Sequence, residues 1–254
     1  MNQVVHILIV GLLVLGSSSD VATVSHEKRN AEILGLENSK PNMEQLERKQ
    51  RSERVLESEN VPFNKFLPVI PSSDHVQIRS EGEVELRALC LFVVALKGEG
   101  LEQEGIQELV SNYDLSEYFT PDELAFVNNP NPSHNDRIQF AWRYESAWTM
   151  LWALGFVDSF DRPDQIVDAE KLVRLVYSYS TESFQSVGNL RNAAELLDQA
   201  DLVYRYHWAI TSARLNGVEA PGGLDRGVVF ERHYSLNWLI GYMGQAWDDV
   251  STDT

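Results

Sequence analysis

Apolar residues recur at helical spacing through the second half of this 254-residue chain, and this pattern limits the fold more than any other feature. From Asn189 to Leu215 they return at intervals of three and four residues, which places them on one face of a helix. In residues 134–154 they cover most of the circumference, so we predict a single central helix there. We find no run that alternates apolar and polar residues as a half-buried strand does. The sequence therefore predicts an all-α fold.

Local signals predict where helices begin and where the chain is extended. Ser80 and Thr120 are each followed three residues later by Glu, which is typical of a capping box at a helix start. We predict that the helix after Ser80 stops at Gly98. Three prolines between positions 62 and 71 favour an extended strap whose apolar residues lie on the core. With no interior linker after residue 80, we predict a single compact multi-helix domain over residues 43–254, with the extended Pro-containing segment near its start.

The first residues of the chain have the features of an export signal. Residues 4–16 are apolar and uncharged, and three small serines follow them. The run is too short for a comfortable membrane span. We therefore predict a signal peptide over residues 1–19, a flexible linker over residues 20–42, and export to the periplasm or the extracellular space, with no membrane attachment after cleavage. The alternative is that the run is a helix of the domain and that the protein is cytoplasmic.

Charge and cysteine content exclude several classes of function. The net charge of −17 repels phosphate backbones and anionic lipids, so we expect no nucleic-acid partner. The one cysteine, Cys90, lies in an apolar run, which indicates a buried hydrophobe and excludes multi-cysteine zinc sites. No phosphate loop, dinucleotide fingerprint, nucleophile elbow or His-Glu-x-x-His motif occurs, so we predict no cofactor and no metal site. Three aspartates near the end could hold a cation, but are more simply caps or solvated charges: Asp248, Asp249 and Asp253.

Several aromatic-rich motifs occur in a fixed order in the second half. They are WRYE at 142–145, LWALG at 151–155, DLVYRYHWA at 201–209, GVVFERHYSLNWL at 227–239 and WDDVSTDT at 247–254. With these motifs the chain resembles the bacterial domain-of-unknown-function family 4272 over roughly residues 45–254. The resemblance implies no activity, substrate or site, because the family has none known to us.

Charged and polar side chains lie inside these very apolar helices, where an unpaired charge is costly. One hypothesis is that they converge in a polar pocket that binds an anion or a metal. The simpler interpretation is an internal network of ion pairs that fixes helix register. The candidate pocket residues are Glu145, Asp201, Arg205, His207, Glu231, His233 and Asn237.

Two classes of function remain. Because no reaction motif is present, we favour a non-catalytic binding or interaction protein, with a protein among its conceivable partners. The alternative is a hydrolase that uses Glu231 and His233 as acid–base groups. An enzyme should present these side chains in one accessible pocket, whereas a binding protein should bury them.

Overall fold

Side chains that cap helix ends divide the chain into its elements. The computed structural model describes residues 40–180, 184 and 186–254. The capping boxes at Ser80 and Thr120 form as predicted, and Asn42, Ser133 and Asn192 cap three further helices. The α-helices are α1 (Met43–Ser58), α2 (Glu81–Glu99), α3 (Gln103–Asn112), α4 (Pro121–Asn128), α5 (His134–Ala141), α6 (Arg143–Ala153), α7 (Ala169–Tyr177), α8 (Ala193–Leu215) and α9 (Arg226–Leu239).

These helices confirm the predicted all-α class, since the described residues contain no strand. Residues from Lys40 to Thr254 form one compact unit, as expected for a single domain. The predicted signal peptide (residues 1–19) and residues 20–39 of the predicted linker (20–42) lie outside the described residues.

Helix α2 contains a long uninterrupted run of buried residues. All its residues from Ala88 to Ala95 are buried, and burial raises the pKa of the Cys90 thiol to about 12. The predicted stop at Gly98 is wrong, because the helix continues to Glu99 and ends at Gly100 in the left-handed conformation. Gly98 instead allows close packing: a Cβ there would lie 2.5 Å from the backbone nitrogen of Ala141 in α5.

The helix predicted over residues 134–154 is divided in two. Trp142 separates α5 from α6, and its ring lies against Gly227 of α9. Both halves pack on α2, and α6 also packs on α9. This junction depends on contacts with α2 and α9. The local pattern of apolar residues gives no information about such contacts.

The proline strap connects α1 to α2 without a regular helix, as predicted. Val61 and Leu67 are its buried anchors, whereas Phe66 is 94% exposed. Helix α8 packs on both α1 and α9, so the packing order α1, α8, α9, α6, α2 places the predicted pocket residues on the three inner helices.

Candidate functional site

Asp201 and Arg205 form a closed pair on α8. The carboxylate accepts two hydrogen bonds of 2.8 Å from Nε and Nη2 of Arg205, and the side chains are 1% and 0% exposed. Such bidentate geometry offsets much of the cost of removing both charges from water. Arg205 Nη2 also approaches the carbonyl oxygen of Pro68 in the strap, at 3.5 Å. This pair therefore has a structural role in joining α8 to the strap.

Glu231 of α9 is bound to α6. One of its carboxylate oxygens accepts hydrogen bonds from Arg143 Nη1, at 2.9 Å, and from Ser146 Oγ, at 2.7 Å. These two donors hold the carboxylate between the helices. To act as a general acid or base, Glu231 would first have to release its hydrogen bonds with Arg143 and Ser146.

Glu145 of α6 lies beside Arg232 of α9, with 3.6 Å between the carboxylate and Nε. The other carboxylate oxygen accepts from the backbone N–H of Val167, and Arg232 Nη1 donates to the carbonyl oxygen of Asp161. Burial raises the pKa of Glu145, and the charge of Arg232 opposes this shift. The pair fastens the loop that follows α6 to α9.

His207 of α8 and His233 of α9 form a buried pair whose Nδ1 atoms are 2.6 Å apart. Asn237 Nδ2 donates to the carbonyl oxygen of Ser251 and lies 3.2 Å from Nε2 of His233. Since Nδ2 only donates, Nε2 of His233 accepts, and the proton of His233 is on Nδ1. His233 therefore donates to Nδ1 of His207, which leaves His207 with its proton on Nε2.

Both histidines are neutral at pH 7. Burial lowers the pKa of His207 to about 4, and the charge of Arg214 adds to this shift. Burial also lowers the pKa of His233 well below its ordinary value, with His207 acting in the same direction. A chain of neutral hydrogen bonds thus runs from His207 to the segment around Ser251.

This histidine pair should make the protein acid-sensitive. Below pH 6.5 the unfolded state binds protons that the folded state does not, so stability falls as the pH falls from about 6.5 towards 4. Between pH 7 and pH 5 we expect a loss of about 2 kcal/mol for each histidine. Urea unfolding of the wild type and of His207→Gln at both pH values measures this change in the free energy of unfolding. The variant should lose about half of the pH dependence.

The raised pKa of Glu145 changes stability with pH in the opposite direction. This contribution is the same in the wild type and in the variant, so it cancels when the two are compared. His134→Gln is the control, because the exposed His134 lies in water in both states. An unaltered pH dependence in His207→Gln would contradict the neutral pair.

His207 also lines an open cleft of about 470 Å³, which we call the histidine cleft. Ile210 and Phe230 give it an apolar wall, and Arg214 and Arg226 bring two guanidinium groups to it. Residues 252–254 form the remaining side. His207 lines this cleft, and in the described part of the chain no hydrogen bond uses its Nε2.

The structure gathers the seven predicted pocket residues into separate groups. His207, His233 and Asn237 lie together, and Asp201 is paired with Arg205. The remaining two carboxylates each bind an arginine that the prediction did not include. These pairs are Glu145 with Arg232 and Glu231 with Arg143.

The missed arginines differ in how they could have been found. Arg143 and Arg232 lie inside the aromatic motifs, next to the apolar positions of α6 and α9. A charged residue in such a place can be recognised from the sequence as a candidate for burial. Arg214 and Arg226 are exposed and resemble ordinary surface charges. Only the approach of α8 to α9 shows that they share a cleft with His207.

Residues 40–180, 184 and 186–254 contain no cluster of three or more His, Cys, Asp or Glu side chains suited to a metal ion. They also contain no helix with the length and apolar character that crossing a bilayer requires.

Comparison with protein families places most of the chain in a family. A family model described as a domain of unknown function, DUF4272, matches residues 48–250, which is most of the chain. No curated protein and no solved structure matches this chain.

Proposed function

The chain belongs to DUF4272, a family of domains of unknown function, and we propose that it is a non-catalytic binding protein that holds a small organic anion in the histidine cleft. The charge of the cleft carries this proposal. In a chain of net charge −17, helices α8 and α9 bring Arg214 and Arg226 to one cleft beside the Nε2 donor of His207. The one carboxylate side chain that lines it, Asp253, comes from the C-terminal segment. A convergence of cations and a neutral donor favours an anion.

The apolar wall suggests the rest of the ligand. Ile210 and Phe230 line the same cleft as the two arginines, so the anion should carry an apolar group. A volume of about 470 Å³ suits a small molecule rather than a macromolecular segment.

A hydrolase is the alternative, and the contacts of its two candidate residues favour binding instead. Glu231 is held by Arg143 and Ser146, whereas His233 is held by His207 and Asn237. General acid–base catalysis requires both groups to reach one reacting centre. Their hydrogen bonds direct them to different neighbours.

Benzoate is a suitable probe for the histidine cleft, with a carboxylate for the arginines and a ring for Phe230. We expect calorimetric titration to detect its binding, and each of Arg214→Gln and Arg226→Gln to weaken it at least tenfold. The reason is that a hydrogen bond to a charged group contributes about 1.5–3 kcal/mol.

The control is Arg54→Gln on α1, which removes an exposed arginine outside the cleft and should leave the affinity unchanged. Benzyl alcohol, which keeps the ring and lacks the charge, should bind far more weakly. Equal binding of the two compounds, or no binding of benzoate, would refute an anion site.

We further propose that the protein acts outside the cytoplasm. The support is the apolar run of residues 4–16 and the three serines that follow it. Sequencing the N-terminus of the mature protein tests this, with cleavage expected near residue 19. A cytoplasmic chain that still begins at Met1 would refute export.

A further inference from the structure

We propose that a second cleft, independent of the histidine cleft, binds a small zwitterion of the free α-amino-acid type. The loop between α6 and α7 forms this cleft together with Trp148 of α6, Lys171 of α7 and Arg232 of α9, and we call it the loop cleft. Its volume is about 320 Å³. Three aspartates line it together with Arg162, Lys171 and Arg232, whereas Asp253 is the one acidic side chain that lines the histidine cleft.

Arg232 is a fixed cationic group at this cleft. It is 4% exposed, and it is held by the carboxylate of Glu145, the carbonyl oxygen of Asp161 and the ring of Phe160, which lies 4.5 Å below the guanidinium carbon. Nη1 carries the bond to Asp161, and no hydrogen bond in the described part of the chain uses Nη2. A buried guanidinium with a spare donor beside a cleft is suited to bind a carboxylate.

Lys171 supplies a second positive charge. Its ammonium group lies 5.2 Å from the ring centre of Trp148, and both side chains line the loop cleft. Contact with the ring holds the flexible lysine side chain near the cleft. Arg232 and Lys171 together would balance one ligand carboxylate and the neighbouring Glu145.

Asp161 supplies the acceptor for a ligand ammonium group. Asp164 is bound to Arg162 at 2.9 Å, and Asp168 caps α7 by accepting from the backbone N–H of Lys171 at 3.0 Å. The carboxylate of Asp161 makes no hydrogen bond within the described residues, although its backbone carbonyl binds Arg232. A free carboxylate and two cations that line the same cleft match the two charges of a zwitterion.

Size and polarity narrow the ligand further. Three aspartates line the cleft and would repel phosphates and other polyanions. Ile166, which is 66% exposed, gives the cleft an apolar edge. An amino acid with an apolar side chain, such as leucine, fits a volume of about 320 Å³.

Calorimetric titration with L-leucine, N-acetyl-leucine and leucinamide tests the proposal. Leucine should bind, and each derivative should bind at least tenfold more weakly, because one lacks the ammonium charge and the other lacks the carboxylate. Asp161→Asn should weaken leucine binding and bring leucine and N-acetyl-leucine close together in affinity. Lys171→Gln should do the same for leucine and leucinamide.

Glu170→Gln is the control, since it alters the residue next to Lys171 on the exposed side of α7. It should leave the affinity for leucine unchanged. The proposal fails if leucine does not bind, if the derivatives bind as well as leucine, or if Asp161→Asn has no effect. Since Asp161 is exposed, that variant should fold normally. All these titrations use a background with Arg214→Gln and Arg226→Gln, in which the histidine cleft no longer has its two guanidinium groups. Binding of N-acetyl-leucine as a simple organic anion in the histidine cleft then does not enter the result, and the outcomes do not depend on whether benzoate binds there.

Discussion

Replacing Asp201 with alanine should destabilise the protein by about 3–5 kcal/mol. The substitution leaves the guanidinium of Arg205 completely buried without its carboxylate, and Nη1 of Arg205 already lacks a hydrogen-bond partner. The loss should appear as a lower urea midpoint at pH 7 with an unchanged dependence on denaturant.

A matched control lies on α7. Glu170 and Arg174 also form a pair four residues apart, but their side chains are 83% and 69% exposed. Glu170→Ala should therefore cost about 0.5 kcal/mol or less. Similar losses for Asp201→Ala and Glu170→Ala would contradict the importance of burial.

A double variant separates the worth of the Asp201 pair from the penalty of an orphaned charge. Asp201→Leu with Arg205→Met removes both charges and keeps apolar volume, so it should recover much of the loss seen in Asp201→Ala. A double variant as unstable as Asp201→Ala would indicate that the charges themselves are needed at this place.

Gly98→Ala should be the second strongly destabilising change, at about 3 kcal/mol. The new Cβ would lie 2.5 Å from the backbone nitrogen and 2.9 Å from the Cα of Ala141, and 2.8 Å from the carbonyl oxygen of Arg137. These are backbone atoms of α5, so no side-chain rotation relieves the contact. Thermal unfolding should show a clearly lower midpoint.

Gly82→Ala, on the same helix, should have the opposite sign. Gly82 lies in the exposed first turn of α2, and no atom is within 4 Å of the position a Cβ would take. Alanine there should stabilise the protein by up to about 1 kcal/mol, because it limits the unfolded chain and favours the helix. If both substitutions destabilise the protein, close packing at Gly98 is not the cause of the stability loss in Gly98→Ala.

The sequence predicts which polar residues belong to the candidate site, but it does not predict how they are paired. Glu145, Asp201, Glu231 and His233 stand out because they are polar groups within apolar helical patterns, and each is indeed buried. Their partners depend on which helices meet. The spacing of four between Asp201 and Arg205 is local and visible in the chain, whereas Glu231 is joined to Arg143 across 88 positions.

The sequence by itself determined the class of fold, the capped starts of α2 and α4, and the apolar run around Cys90, because these are patterns within a few residues along the chain. Only the tertiary structure decided that helix 134–154 is divided at Trp142, that Gly98 lies inside a helix, and that two exposed arginines share a cleft with His207. These features are contacts between distant segments. A helical period states which face of a helix is buried, but it carries no information about which neighbour covers that face.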